Sequence, residues 1–196
     1  MKTIKTAAFT LLTLLTLACA NEKKPEPPQR VVEDVDAETG IISLRNYTID
    51  DTITIGGNIY QYTCQFEHVD SMPVLINTQG LEYHECRVSI KINRQGKSIF
   101  DKTFYKNSLR DYVPADFLKT STLVGVNYNY IKREADRSAL YFILTVGDPD
   151  ETSDNMAYPL ELRVNTDGTY SIQKAENLET APLRPGLNID PGEDAI

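Results

Sequence analysis

Four residues able to bind metal or exchange disulfides fall in two pairs, Cys64-x3-His68 and His84-x-Cys86, which use both histidines of the chain and two of its three cysteines. Two thiolates and two imidazoles are the donor types of a tetrahedral zinc site. Their spacing argues against one: there is no short Cys-x2-Cys knuckle, and alternate strand residues point the same way without converging. A disulfide between Cys64 and Cys86 demands less, because both fall on the apolar face of an alternating segment, where Tyr60, Tyr62, Phe66, Val88 and Ile90 would bury it. It would close a loop of roughly 23 residues and stabilise the fold by about 3 kcal/mol through the unfolded chain. The pair is therefore expected to be bridged, with two buried thiols or a zinc site as alternatives. His68 and His84 are expected to be surface or hydrogen-bonded residues, not ligands.

Asp148, Asp150 and Asp154 stand in the acidic run Asp148-Pro149-Asp150-Glu151-Thr152-Ser153-Asp154-Asn155. Calcium, a hard ion that takes about six to eight oxygens, is the metal such carboxylates would gather. The run lacks the glycine at the sharp bend and the distal bidentate glutamate of a calcium loop, so a solvated acidic loop is the expectation and no metal is assigned. No Gly-x-Ser-x-Gly, His-Glu-x-x-His, phosphate-cradling or dinucleotide motif occurs. Strand parity separates His84 from Glu85, so the three side chains do not share one face. No catalytic residue and no cofactor are assigned, and the reading leans away from an enzyme. The 11 tyrosines suit a binding surface, although Tyr128, Tyr130 and Tyr141 fit sheet packing equally well.

At the front of the chain, Lys2 and Lys5 precede an uncharged Leu- and Ala-rich run over residues 6–18. As a helix that run would span about 20 Å, short of the roughly 30 Å of a bilayer core, which identifies a signal segment and not a membrane span. It ends in Leu15-Thr16-Leu17-Ala18-Cys19, which resembles the lipobox of bacterial lipoproteins except for Thr16, where leucine is usual. The resemblance implies cleavage after Ala18 and a lipid on Cys19. Loss of the signal takes the formal charge from −8 to about −10, which disfavours nucleic acid and anionic membrane surfaces and leaves lipid as the membrane anchor. Residues 19–37, rich in proline and charge, read as a flexible tether, and residues 180–196 as a Pro/acidic tail.

The elements that must position these residues lie in one domain over residues 38–179, where period-two alternation dominates. Ile49, Ile53 and Ile55 alternate with polar neighbours, then Gly56-Gly57 makes a turn into Tyr60, Tyr62, Cys64 and Phe66. Cys86, Val88, Ile90 and Ile92 share a face, and Val124, Val126, Tyr128 and Tyr130 share another. Residues 140–146 are almost continuously apolar, as in a central strand covered on both sides. Asn165-Thr166-Asp167-Gly168 marks a hairpin, and residues 114–119 one short helix. The fold class is mainly β: an antiparallel β-sandwich or strongly curled sheet with one short helix. The alternative is α+β, with more helix between residues 107 and 120.

The lipobox, the Pro/Glu tether and the closing patterns Tyr141-Phe142-Ile143-Leu144-Thr145-Val146-Gly147-Asp148-Pro149-Asp150 and Leu160-Glu161-Leu162-Arg163-Val164-Asn165-Thr166-Asp167-Gly168-Thr169-Tyr170 together resemble an uncharacterised lipoprotein family of Bacteroides and its relatives, the DUF4738 type. The resemblance implies a lipid-anchored location in the cell envelope, at the outer membrane and facing the periplasm or the cell surface. It carries no catalytic or binding residues. The function expected is non-catalytic binding or interaction with an envelope protein or glycan, with a calcium- or zinc-dependent protein or a hydrolase as the alternative.

Overall fold

Alternation becomes strands wherever it runs long enough to define a face. In the computed structural model, which describes residues 32–150 and 157–175, the strands in chain order are β1 (Val32–Val35), β2 (Ile42–Leu44), β3 (Tyr47–Ile55), β4 (Asn58–His68), β5 (Leu75–Ile76), β6 (Glu82–Tyr83), β7 (Cys86–Arg94), β8 (Lys97–Tyr105), β9 (Thr122–Tyr128), β10 (Ala139–Gly147), β11 (Tyr158–Asn165) and β12 (Tyr170–Lys174). Two four-stranded antiparallel sheets carry the core, ordered β3-β4-β7-β8 and β12-β11-β10-β9. The turn at Gly56-Gly57 places both residues at positive φ, 55° and 78°, the left-handed pair that a two-residue hairpin requires.

The sheets meet face to face. Tyr62 of β4 stacks on Tyr128 of β9 at 5.0 Å and meets the edge of Phe142 of β10 at 5.3 Å. At the other side, Phe100 and Phe104 of β8 meet Tyr170 of β12. Between them Cys64, Phe66, Val88, Ile90, Ile92, Leu144, Leu160 and Leu162 are buried in one continuous core. Truncating one of the large aliphatic members to alanine should cost about 2–5 kcal/mol, transfer and cavity terms together. All nine residues of β10 are buried and the strand is flanked by β9 and β11, as the unbroken apolar run predicted. The architecture is the expected mainly-β sandwich.

Three features differ from the sequence-based expectation. A third, small sheet, β1-β2-β6-β5, forms beside the sandwich, and Ile42 of β2 pairs in parallel with Tyr83 of β6. Its first strand begins at Val32, inside the segment read as tether, because β1 finds an antiparallel partner in β2. Among the described residues two α-helices occur where one was expected, beside a 3-10 turn over Lys106–Leu109. α1 (Ala115–Leu118) follows Pro114 as predicted, while α2 (Tyr130–Ala135) interrupts the alternation at Asn129, whose side chain accepts the Lys132 N–H at 3.0 Å and caps the helix. The proposed signal segment, Cys19 and the C-terminal tail lie outside the described residues.

Candidate functional site

The expected disulfide is absent: Cys64 and Cys86 are both free and buried. Pairing of β4 with β7 sets Cys64 opposite Ile90 and Cys86 opposite His68. The two cysteines share a face but lie four residues apart in register, about 13 Å along the strand, whereas a bridge needs Cα atoms within about 7 Å. The same offset keeps two thiols and two imidazoles from sharing a centre, which removes the Cys2His2 zinc alternative. Burial pushes both thiols well above the ordinary cysteine range.

What the fold does gather is the two histidines. His68 ends β4, and His84 follows β6 directly. Between them runs β2, whose carbonyls hold both: the Ile42 oxygen accepts the backbone N–H of His84 at 3.0 Å, and the Leu44 oxygen lies 3.0 Å from His68 Nδ1. The His68 backbone N–H donates to Asn46 Oδ1 at 2.8 Å, fixing the strand end as well as the ring. The ring centroids stand 6.0 Å apart with planes inclined by 30°. They form one wall of an open cleft of about 550 Å³ that also carries Asp34, Asp36 and Asp70, with Ser43 and Asn46 completing the lining.

The electrostatics of this cleft follow from its hydrogen bonds. A carbonyl only accepts, so the contact with Leu44 assigns the proton of neutral His68 to Nδ1 and leaves a lone pair on Nε2. Nε2 stands 3.5 Å from Asp70 Oδ1, the distance of an ion pair when the ring carries both protons. His84 Nδ1 is buried and has no hydrogen-bond partner among the described residues. Asp36 accepts the Thr39 hydroxyl and the Thr39 and Glu38 N–H groups across the β1–β2 turn, and these bonds, the Thr39 hydroxyl foremost, hold its carboxyl below the usual carboxylate range. The arrangement can attract and hold a cation.

Other residues singled out in the sequence have structural tasks. Asp148 is buried at the end of β10, where it accepts Asn77 Nδ2 at 3.1 Å, Thr78 Oγ1 at 2.7 Å and the Asp150 N–H at 3.0 Å, tying the β5–β6 turn to the sandwich. Asp154 lies outside the described residues. Glu85 points inward to Lys106 and Thr122, away from exposed Glu82, so the triplet around His84 does not converge. Tyr128 and Tyr141 are buried in sheet packing, and Tyr130 opens α2 with its hydroxyl donating to Asp51 at 2.8 Å. Among the described residues no group of three His, Cys, Asp or Glu side chains is placed to hold a metal ion, and no helix is long and apolar enough to cross a membrane.

The strand positions of Cys64 and Cys86 were readable from alternation; the meeting of His68 with His84 was not. It depends on β2, whose three residues are too few to show a period. In comparison with known families, residues 27–172 match a domain of unknown function (DUF4738). No curated protein matches the chain.

Proposed function

The chain belongs to the DUF4738 family, and from that premise we propose that it is a non-catalytic, lipid-anchored binding module of the bacterial cell envelope, tethered through Cys19 and using the histidine–carboxylate cleft to hold an electropositive ligand. The observation that carries this reading is the convergence of both histidines with Asp34, Asp36 and Asp70 on one open cleft. A cleft lined by one sign of charge raises the local concentration of the opposite sign. The polar groups sit at a sheet margin built from short strands and turns, where side chains are accessible, while the sandwich behind them supplies rigidity. The formal charge of −8 supports cationic partners, such as a basic group on an envelope protein or glycan, over nucleic acid. The signal segment and lipobox-like Leu17-Ala18-Cys19 support export and anchoring at the outer membrane, with the module facing the periplasm or the cell surface.

Two measurements test the proposal. Cys19→Ser should move the protein out of the membrane fraction or block its processing; unchanged membrane retention and unchanged N-terminal mass count against the anchor. Hexaamminecobalt(III), an exchange-inert trication, should perturb the NMR signals of Ser43, Asn46, His68 and His84 in the wild type and lose this localisation in Asp34→Asn/Asp70→Asn. Perturbations spread evenly over the surface would reject the cleft as the binding site.

A further inference from the structure

We infer that Tyr47, Asp51, Tyr130 and Arg133 form an edge lock: they occupy outward backbone groups of β3 and β9 and keep this side of the sandwich from pairing with the β3 strand of a second copy of the chain. The lock lies where margins of the two large sheets meet and does not depend on the cleft.

A strand with a neighbour on one side only leaves the backbone groups of its other side free to pair with another chain. Among the described residues β3 borders only β4, and β9 borders only β10. β3 is the greater hazard, because its nine residues are rich in threonine and isoleucine and make a long template for strand addition. Its register tells which groups face outward. The two-residue turn at Gly56-Gly57 makes Ile55 and Asn58 a hydrogen-bonded pair, so alternation turns the N–H and C=O groups of Thr54 and Thr52 away from β4.

Side chains occupy those same groups. The Thr54 carbonyl accepts from Arg133 Nη2 at 3.3 Å, and the Thr52 N–H donates to Asp51 Oδ1 at 2.7 Å. The other oxygen of Asp51 accepts the Tyr130 hydroxyl at 2.8 Å, which holds the carboxylate in place. On the second edge one hydroxyl serves both groups of Val126: Tyr47 accepts the Val126 N–H at 2.9 Å and donates to the Val126 carbonyl oxygen at 3.4 Å. The lock is reciprocal. β3 supplies the Tyr47 that covers β9, and α2, which follows β9, supplies the Tyr130 and Arg133 that cover β3. The helical interruption after Asn129 thus brings two side chains to the opposite sheet. Charge adds to the lock, because two β3 strands paired antiparallel about their midpoint would set Asp51 against Asp51.

The test uses the full-length chain in detergent, by sedimentation in a density-matched buffer and by amide hydrogen exchange. Asp51→Ala/Arg133→Ala changes one exposed and one half-exposed side chain and leaves the core untouched. This variant should self-associate at about 0.1 mM, where the wild type sediments as a monomer. Its Thr52 and Thr54 amides should then exchange more slowly than in the wild type, because a second strand protects them. Tyr47→Phe removes a single hydroxyl, and its Val126 amide should exchange at least about tenfold faster than in the wild type. A double variant that stays monomeric, association that leaves Thr52 and Thr54 unprotected, a wild type already paired through these two amides, or an unchanged Val126 amide would each overturn the inference.

Discussion

His68 directs its ring Nδ1 at the Leu44 carbonyl, 3.0 Å away, so a strand of three residues sets the orientation of the imidazole at the end of an eleven-residue strand. β2 also holds the backbone of His84 through Ile42. One short strand thus brings together two residues far apart in sequence, and the cleft exists only because β2 is inserted between β1 and β6.

The cysteines should behave as inert core residues. With burial raising both thiols, the thiolate fraction near pH 8 is negligible, and thiolate is the species that reacts. Native protein treated with iodoacetamide should leave Cys64 and Cys86 unmodified, and denatured protein should take up label at both without prior reduction. Label that appears only after a reductant would mean that the bridge exists after all.

Asp148 should act as a structural acceptor, not as a calcium ligand. Asp148→Ala leaves the buried amide of Asn77, the Thr78 hydroxyl and the Asp150 N–H without this acceptor, a loss of about 1–3 kcal/mol. Urea denaturation with and without calcium measures this. The expected outcome is a lower midpoint in the variant and no calcium dependence in either protein; a wild-type midpoint raised selectively by calcium would contradict it.

Asp136 makes stability depend on acid. Its carboxyl accepts the Ser138 hydroxyl, the Tyr141 hydroxyl and the Ser138 N–H, which lower it from 3.8 to about 2. The folded value lies below the unfolded one, so this contribution is fully present above about pH 4 and is lost as pH falls toward 2. Asp136→Asn should therefore melt below the wild type near neutral pH, and the gap should close between pH 4 and 2. A gap independent of pH across that window would show that the carboxylate charge is not what matters.

Gly168 should tolerate no side chain. It has φ +88°, and a Cβ there would lie 2.1 Å from the Ile99 carbonyl oxygen of β8, so the β11–β12 hairpin closes onto the opposite sheet only with glycine at its tip. Gly57, at φ +78°, has open space around its Cβ position. Gly57→Ala should cost about 1 kcal/mol from backbone strain alone, and Gly168→Ala clearly more, because strain and overlap act together. Equal losses in thermal denaturation would show that the Ile99 contact yields freely.

How much of this was readable beforehand depended on the length of each element. β4, β7 and β10 were visible because seven or more residues repeat or suppress a period of two, and that period reports which face is buried. α2 carried a readable signal in Asn129, but the alternation from Val124 to Tyr130 ran straight through it and concealed the cap. β2, β5 and β6, of two or three residues, hold no period at all.

The sequence by itself determined the class of the fold, the residues facing its core and the placing of Cys64 and Cys86 on one buried face. Only the tertiary structure decided that these cysteines stand four registers apart and that His68 and His84 adjoin. The reason is physical: side-chain alternation is a local property of the backbone, written every two residues, so it states which way a residue points. How far one strand slides along another, and which distant strand lies beside it, follows from packing the whole core and joining β2 in parallel to β6, and no local period records it.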